Sequence, residues 1–289
     1  MKNLILTVLH HYSYPVVEPF IRSLKATRYD GDLVIFVSAS TSKATKRLLA
    51  KQGAILIEFS TTYPFNDSYT AVFEDISPEI TLNNYRFLFY LKYLQDNPGK
   101  YGNVMLTDIR DVVFQKNIFD GIAPDKIYFF LEDASEIFRT SKLNYNWSLL
   151  ANGPEVTNKM INENVSCAGI VAGSGIHIIS YLKYIQTRLK FRADLHWGID
   201  QGLHNAYIYT QANPKAMVIP NTQALVLTLG ACSTFKQLAN GDIVNGRGEP
   251  YHVIHQYDRF GDLLMYFKEK YVGSRLMQKF KKVLFAILP

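Results

Sequence analysis

Apolar and polar positions alternate in blocks along the first third of the chain. Short apolar runs over residues 4–9, 33–37 and 54–59 are separated by longer stretches with helical spacing. The first of these stretches covers 16–24. The second is opened by the Ser40-Thr41-Ser42 cluster and closed near Gly53, with Lys and Arg in its later turns, as helix C-termini prefer. Short buried strands alternating with helices predict a parallel sheet with right-handed crossovers. After a polar loop, the pattern predicts a helix over 83–95, ended by Asp96-Asn97-Pro98-Gly99, and then a strand over 103–107. From about residue 120 it loosens, with strand-like pieces at 127–131, 165–172, 216–219 and 251–255 separated by irregular loops.

Neither a repeat nor a Pro/Ser-rich linker interrupts this order. The expectation is one continuous α/β domain over 1–262, Rossmann-like, with a mostly parallel mixed sheet flanked by helices. Its first half, 1–120, would bind a nucleotide. Its second half, 121–262, would form the acceptor site and complete the active centre. Residues 263–289 form a separate C-terminal element.

Composition narrows the picture only slightly. Of 289 residues, 48% are hydrophobic and 19% charged, which excludes a disordered chain. Cys167 and Cys232 are too few and too far apart for a disulfide framework or a zinc finger, and read as free thiols in a reducing compartment. No apolar run approaches the ~20 residues of a membrane span, and no cleavage site follows the first apolar run. A cytoplasmic protein is expected. The net charge of +6 permits an anionic partner, but no stretch resembles a nucleic-acid module, so none is expected to bind.

The candidate chemistry lies in five places. In Asn103-Val-Met-Leu-Thr-Asp108-Ile-Arg110-Asp111, a buried strand runs into two carboxylates at the sheet edge where α/β proteins bind ligands. In a turn, the two Cα atoms fall within ~7 Å and both side chains reach one cation, whereas an extended chain keeps them ~10 Å apart. Hard oxygen ligands suit magnesium or manganese held with substrate phosphates. The plainer reading is an Asp turn with a surface arginine. Arg86 sits in Tyr85-Arg86-Phe-Leu-Phe-Tyr-Leu91, a helix apolar on nearly every side, where a guanidinium needs an anion; it reads alternatively as an arginine snorkelling from a helix end.

The small residues Ser166-Cys167-Ala168-Gly169, ending a strand, admit a ligand or simply tight packing. In Trp197-Gly198-Ile-Asp200-Gln201-Gly202, Asp200 and Gln201 are suited to sugar hydroxyls and Trp197 to stacking. His196, Asp200 and His204 offer a rival zinc spacing. Last, His255 ends an alternating strand over 251–255 and becomes a plausible third ligand beside a carboxylate-held metal.

In this order, the five elements resemble a GT-A glycosyltransferase, and among these the glycogenin-like retaining group, over roughly residues 1–260. The resemblance implies a divalent metal, Mn or Mg, on the diphosphate of a nucleotide-sugar donor, with a UDP-sugar as the expected donor. Asp108, Asp111 and His255 would hold the metal. Thr7, Tyr12, Arg86, Asp108, Ala168 and Gly169 would line the donor site, Thr7 and Tyr12 on the base and ribose. Asp200 and Gln201 would be the catalytic pair on the sugar. The chain departs from that group in having Asp-x-x-Asp for Asp-x-Asp and Cys167 where Asn is common. The resemblance leans to retention; inversion would need a carboxylate base such as Asp258 or Glu132. An Asp-nucleophile phosphatase fits less well, because Arg110 stands where its second Asp belongs. A non-enzymatic nucleotide- or sugar-binding module is the alternative.

Over 274–288, Leu276, Met277, Phe280, Val283, Leu284 and Ile287 recur at helical steps, with Arg275, Lys279, Lys281 and Lys282 mainly off that stripe. A basic amphipathic helix of this kind either lies peripherally on an anionic membrane, facing a glycan or lipid-linked acceptor, or packs on its own domain.

Overall fold

The three apolar runs of the first third become β1 (Lys2–Leu9), β2 (Asp32–Ser38) and β3 (Ile55–Phe59), joined by α1 (Tyr14–Ala26) and α2 (Lys43–Lys51). In the computed structural model, which describes residues 1–60, 67–69, 82–189 and 197–273, these strands pair in parallel. Their alternation splits two cores. Leu4, Leu6, Val34 and Phe36 point into one, and Ile5, Leu9, Leu33, Ile35 and Val37 into the other. Both faces are covered, which explains why each strand reads as a continuous apolar run. Ser42 caps α2 by accepting from the Thr45 backbone N–H.

Next come α3 (Leu82–Asp96), β4 (Tyr101–Thr107), β5 (Val112–Phe114) and β6 (Ile127–Leu131). Then follow α4 (Lys142–Lys159), β7 (Ser166–Ser174), α5 (Gly175–Leu189), α6 (Ile199–Thr210) and β8 (Ala216–Ile219). The main sheet has seven strands in the order β3-β2-β1-β4-β7-β6-β8. Only β7 runs against its neighbours, so the sheet is mixed and mostly parallel, with helices on both faces. Where irregular loops were expected on either side of the 165–172 strand, the chain forms the helices α4 and α5, while α6 starts at Ile199, beside the helix start expected near Asp200. One of them, α4, is kinked at Gly153, whose φ is 78°, beside Pro154, and this break hides its period.

The last described residues form short strands and one helix: β9 (Val226–Thr228), β10 (Lys236–Gln237), β11 (Ile243–Val244), β12 (Val253–His255) and α7 (Gly261–Val272). A second sheet, β5-β12-β9, joins residues far apart in sequence. Strand β4 of the first half and β7 of the second are hydrogen-bonded neighbours in one sheet. Helix α7 spans the expected boundary at 262/263. Leu263 and Phe267 pack with Val113, Leu227, Ile254 and Tyr257. The basic helix expected over 274–288 lies outside the described residues. Among the described residues, no helix is long and apolar enough to cross a membrane.

Candidate active site

Because β1 and β4 are parallel neighbours, their carboxyl ends emerge at one edge of the sheet. Reversal of β7 brings its beginning to that same edge. Residues 166–169 therefore open a strand at the site and do not end one as the sequence suggested. The Asp108 N–H donates to the Gly169 carbonyl at 2.9 Å, fixing the end of β4 on the start of β7. Beyond Thr107 the chain leaves the sheet and bends before β5. His255, on β12, pairs in register with Val112, and the Gln256 N–H donates to the Asp111 carbonyl. Pairing of these short strands places the histidine beside both aspartates.

The outcome is a cluster of three groups. One ligand atom from each of Asp108, Asp111 and His255 lies within 4.8 Å of the others. Gly169 makes this possible, since a Cβ there would fall 2.5 Å from His255 Cε1 and 2.7 Å from Asp108 Oδ2. His255 is fully buried, and neither ring nitrogen makes a hydrogen bond, although Nε2 lies 3.4 Å from Asp108 Oδ2. An imidazole left this way beside two carboxylates fits a divalent cation.

Arg86 enters from α3 as expected and finds its anions. It pairs with Asp108 Oδ1 and, at 3.1 Å, with Asp200 Oδ2, and donates at 3.3 Å to the Ala168 carbonyl. Asp108 is thus divided, with Oδ1 committed to the guanidinium and Oδ2 turned toward His255. Burial works to raise the Asp108 carboxyl, but Arg86 and His255 outweigh it and hold it at about 2. Burial pushes Asp111 above its ordinary range, with Asp108 and Asp258 adding to the rise. Burial alone would lower His255, yet Cys167, Asp108 and Asp111 around it lift it well above the usual imidazole range. A cation bound here would displace that proton.

Asp200 lies in the first turn of α6, buried, its N–H bonded to the Asn84 side chain at 3.0 Å. Burial raises its carboxyl, against the pull of Arg86. Gln201 has a different role from the catalytic one expected of it. Its carbonyl oxygen accepts from the Ala168 N–H, while its amide nitrogen donates to Asn144 Oδ1 and the Ser166 carbonyl. With both ends committed, it holds the start of β7 in place. The rival zinc site is not formed: both ring nitrogens of His204 are taken by Ser166 and Tyr181. Burial holds that imidazole down at about 3, and His196 lies outside the described residues.

These groups line a cleft of about 800 Å³. Tyr12, Arg86, Asp108, Asp111, Ala168, Gly169, Asp200 and Gln201 all face it. Thr7 does not: it lies within β1, fully buried, away from the cleft. The loop after β1 supplies His10 and His11 in its place. Sequence reasoning passed over both, although they directly follow an apolar strand. Trp147 was missed with the rest of α4. Its ring meets that of Trp197 edge to face at 4.8 Å, and Gly198, at φ 91°, leaves room for it. Trp197 itself is 59% exposed at the cleft.

The two carboxylates weighed as acceptor-side bases differ sharply. Asp258 is paired with Arg110 at 2.9 Å. Glu132, just beyond β6, lines the cleft. Burial, reinforced by Glu136 and opposed by His255, pushes its carboxyl up to about 7. Compared with known proteins, the sequence matches no family model and no curated protein.

Proposed function

We propose that this protein is a divalent-metal-dependent glycosyltransferase of the GT-A type, acting on a nucleotide-diphosphate sugar. The observation that carries this reading is the Asp108–Asp111–His255 cluster, set at the carboxyl edge of a mostly parallel sheet with both aspartates lining a large cleft. Ligands of α/β sheets bind at that edge. The fit of the cluster to a divalent cation and the resemblance in motif order support the same reading. A cation held there would neutralise charge developing on a departing diphosphate.

The chain's own residues divide the remaining work. Arg86 keeps Asp108 ionised and presents a guanidinium beside the cluster. Gly169 leaves the space that the cluster needs. The rings of His10, His11 and Tyr12 offer faces to a base and ribose, with a UDP-sugar as the donor the resemblance implies. Asp200 stands ready for the sugar hydroxyls, and Trp147 and Trp197 offer a rim to a glycan or lipid-linked acceptor.

The test is thermal unfolding with a panel of nucleotide-sugars, with and without manganese. A ligand at one hundred times its Kd stabilises the fold by about 2.7 kcal/mol, so the donor should raise Tm only when the metal is present. Asp111→Asn should abolish the rise while leaving the ligand-free Tm nearly unchanged. A rise that survives EDTA would reject the metal-dependent reading. Metal-dependent binding with no turnover would identify a nucleotide-sugar-binding module instead.

A further inference from the structure

The positive charge of the chain is gathered in two places. Residues 14–53 carry seven Lys and Arg against three Asp and Glu, a net of +4 within the chain's +6. Residues 274–289 add four cations and no acid, so everything else nets −2. The first segment comprises α1, β2 and α2. Both helices bury their apolar residues against the same face of the sheet, Val17, Phe20, Ile21 and Leu24 from α1 and Leu49 from α2. They lie side by side. The Tyr14 N–H donates to Thr45 Oγ1 at 3.2 Å near their starts, and Lys25 Nζ donates to Gln52 Oε1 at 2.8 Å near their ends.

The outward side of this helix pair is basic. Lys43, Arg47 and Lys51 recur every four residues on α2, forming one exposed stripe about 12 Å long, opposite the buried Thr45 and Leu49. Lys25 and Arg28 add two exposed cations at the end of α1. Among the described residues, none of these five has an ion-pair partner. The nearby acids are engaged elsewhere: Glu18 is buried and paired with Arg22, Asp32 with Lys2 and Lys100, and Glu58 with Lys46. Of the three acids within 14–53, only Asp30 is exposed. The cations have no exposed ring beside them for a base to stack on, since Tyr14 and Phe20 are buried and Tyr29 stacks on Phe119.

We propose that the outer face of α1 and α2 docks on an anionic bilayer, its cations meeting the phosphates of the lipid headgroups. A headgroup surface is broad and continuous, which suits cations spread along two parallel helices. Helix α7 packs against α1 and leads directly into the second basic segment, so the two cationic segments are linked through neighbouring helices. Each cation near an anionic leaflet adds about fivefold to binding, and the attraction fades within about 8 Å at physiological salt. None of the five cations lines the cleft, and docking here is independent of the glycosyltransferase reading. The folded domain itself, and not only the segment after residue 273, carries the contact.

The test is co-sedimentation of the full chain with vesicles of phosphatidylglycerol or of phosphatidylcholine. Wild type should pellet with the first at low salt and stay in solution with the second. It should leave the first in about 1 M salt, where screening acts within about 3 Å. Lys43→Gln, Arg47→Gln and Lys51→Gln together should weaken binding about 10²-fold at an unchanged Tm. Lys43→Arg with Lys51→Arg, which keeps the charge, should bind as wild type does. Binding by the triple Gln variant within about threefold of wild type would overturn the proposal; if Arg275→Gln, Lys279→Gln, Lys281→Gln and Lys282→Gln together then abolish pelleting, the segment after 273 acts alone. Failure of wild type to pellet at low salt would also overturn it, as would equal pelleting with both lipids, pelleting that survives high salt, or weak binding by the Arg variant. Binding to poly(U) but to neither vesicle would assign the face to nucleic acid instead.

Discussion

Where α3, β4 and α6 meet, charges are matched at close range: one guanidinium spans Asp108 and Asp200 and also caps the Ala168 carbonyl. At the end of β6, by contrast, Glu132 has no partner among the described residues, and at the rim Trp197 stands 59% exposed. The paired region holds Asp108 ionised in a fixed arrangement. In the unpaired region, burial pushes the Glu132 carboxyl up to about 7. Both lie in one cleft, so their difference reflects partners more than depth.

Breaking the paired region should have the largest effect. Arg86→Met leaves Asp108 and Asp200 buried without their cation, and should cost about 3–5 kcal/mol in urea unfolding. Adding Asp108→Asn should recover part of that loss, because one uncompensated charge is then gone. Additive losses in the double variant would show that the three groups do not act as a unit.

Gly169→Ala tests the crowding around the cluster. Its methyl would fall within 2.7 Å of both His255 and Asp108. The expected cost is about 1–3 kcal/mol, accompanied by loss of any manganese-induced rise in Tm. An unchanged rise in this variant would mean that the cation sits elsewhere.

Much of the paired region was legible in the sequence. Arg86 in an almost wholly apolar helix called for an anion, and Asp108 and Asp111 after a buried strand supplied a position for it. The parallel strands were legible too, because burial on both faces leaves an uninterrupted apolar run. The unpaired region was harder to read. Gly153 and Pro154 break the period of α4, so neither that helix nor Trp147 was visible. The commitment of Gln201 to Ala168, Asn144 and Ser166 depends on three segments converging, which no local pattern records. Thr7 was misplaced for a related reason: within a strand, alternate side chains turn away from any site, and only the loop beyond, with His10 and His11, opens into the cleft.

A pH experiment sharpens the comparison from the other side. The folded state holds the Glu132 proton more tightly than the unfolded chain does, at about 7 against 4.5. Its contribution therefore turns unfavourable as pH rises through that window. Glu132→Gln should then be about 1–3 kcal/mol more stable than wild type at pH 8, with no advantage at pH 4. Equal stability at pH 8 would show that folding does not strengthen the carboxyl's hold on its proton.

Trp197→Ala should have the smallest effect on folding. Its edge-to-face contact with Trp147 is worth about 0.5–1.5 kcal/mol, and exposure keeps the cost near the lower end. Donor-induced stabilisation should be unchanged, while quenching of indole fluorescence by added glycans should disappear. Loss of the donor response would move this ring from the rim to the donor site.

The pairing of β5 with β12 has a consequence for how the protein is made. Asp111 and His255 become neighbours only when two three-residue strands meet, and roughly 140 residues of chain between them take on the order of 10 s to emerge from a ribosome. During that interval β1 to β4 are already synthesised, and Arg86 and Asp108 are free to find each other. The guanidinium thus keeps the aspartate company through the stage at which its remaining neighbours do not yet exist. The cluster is completed only when the last short strand arrives.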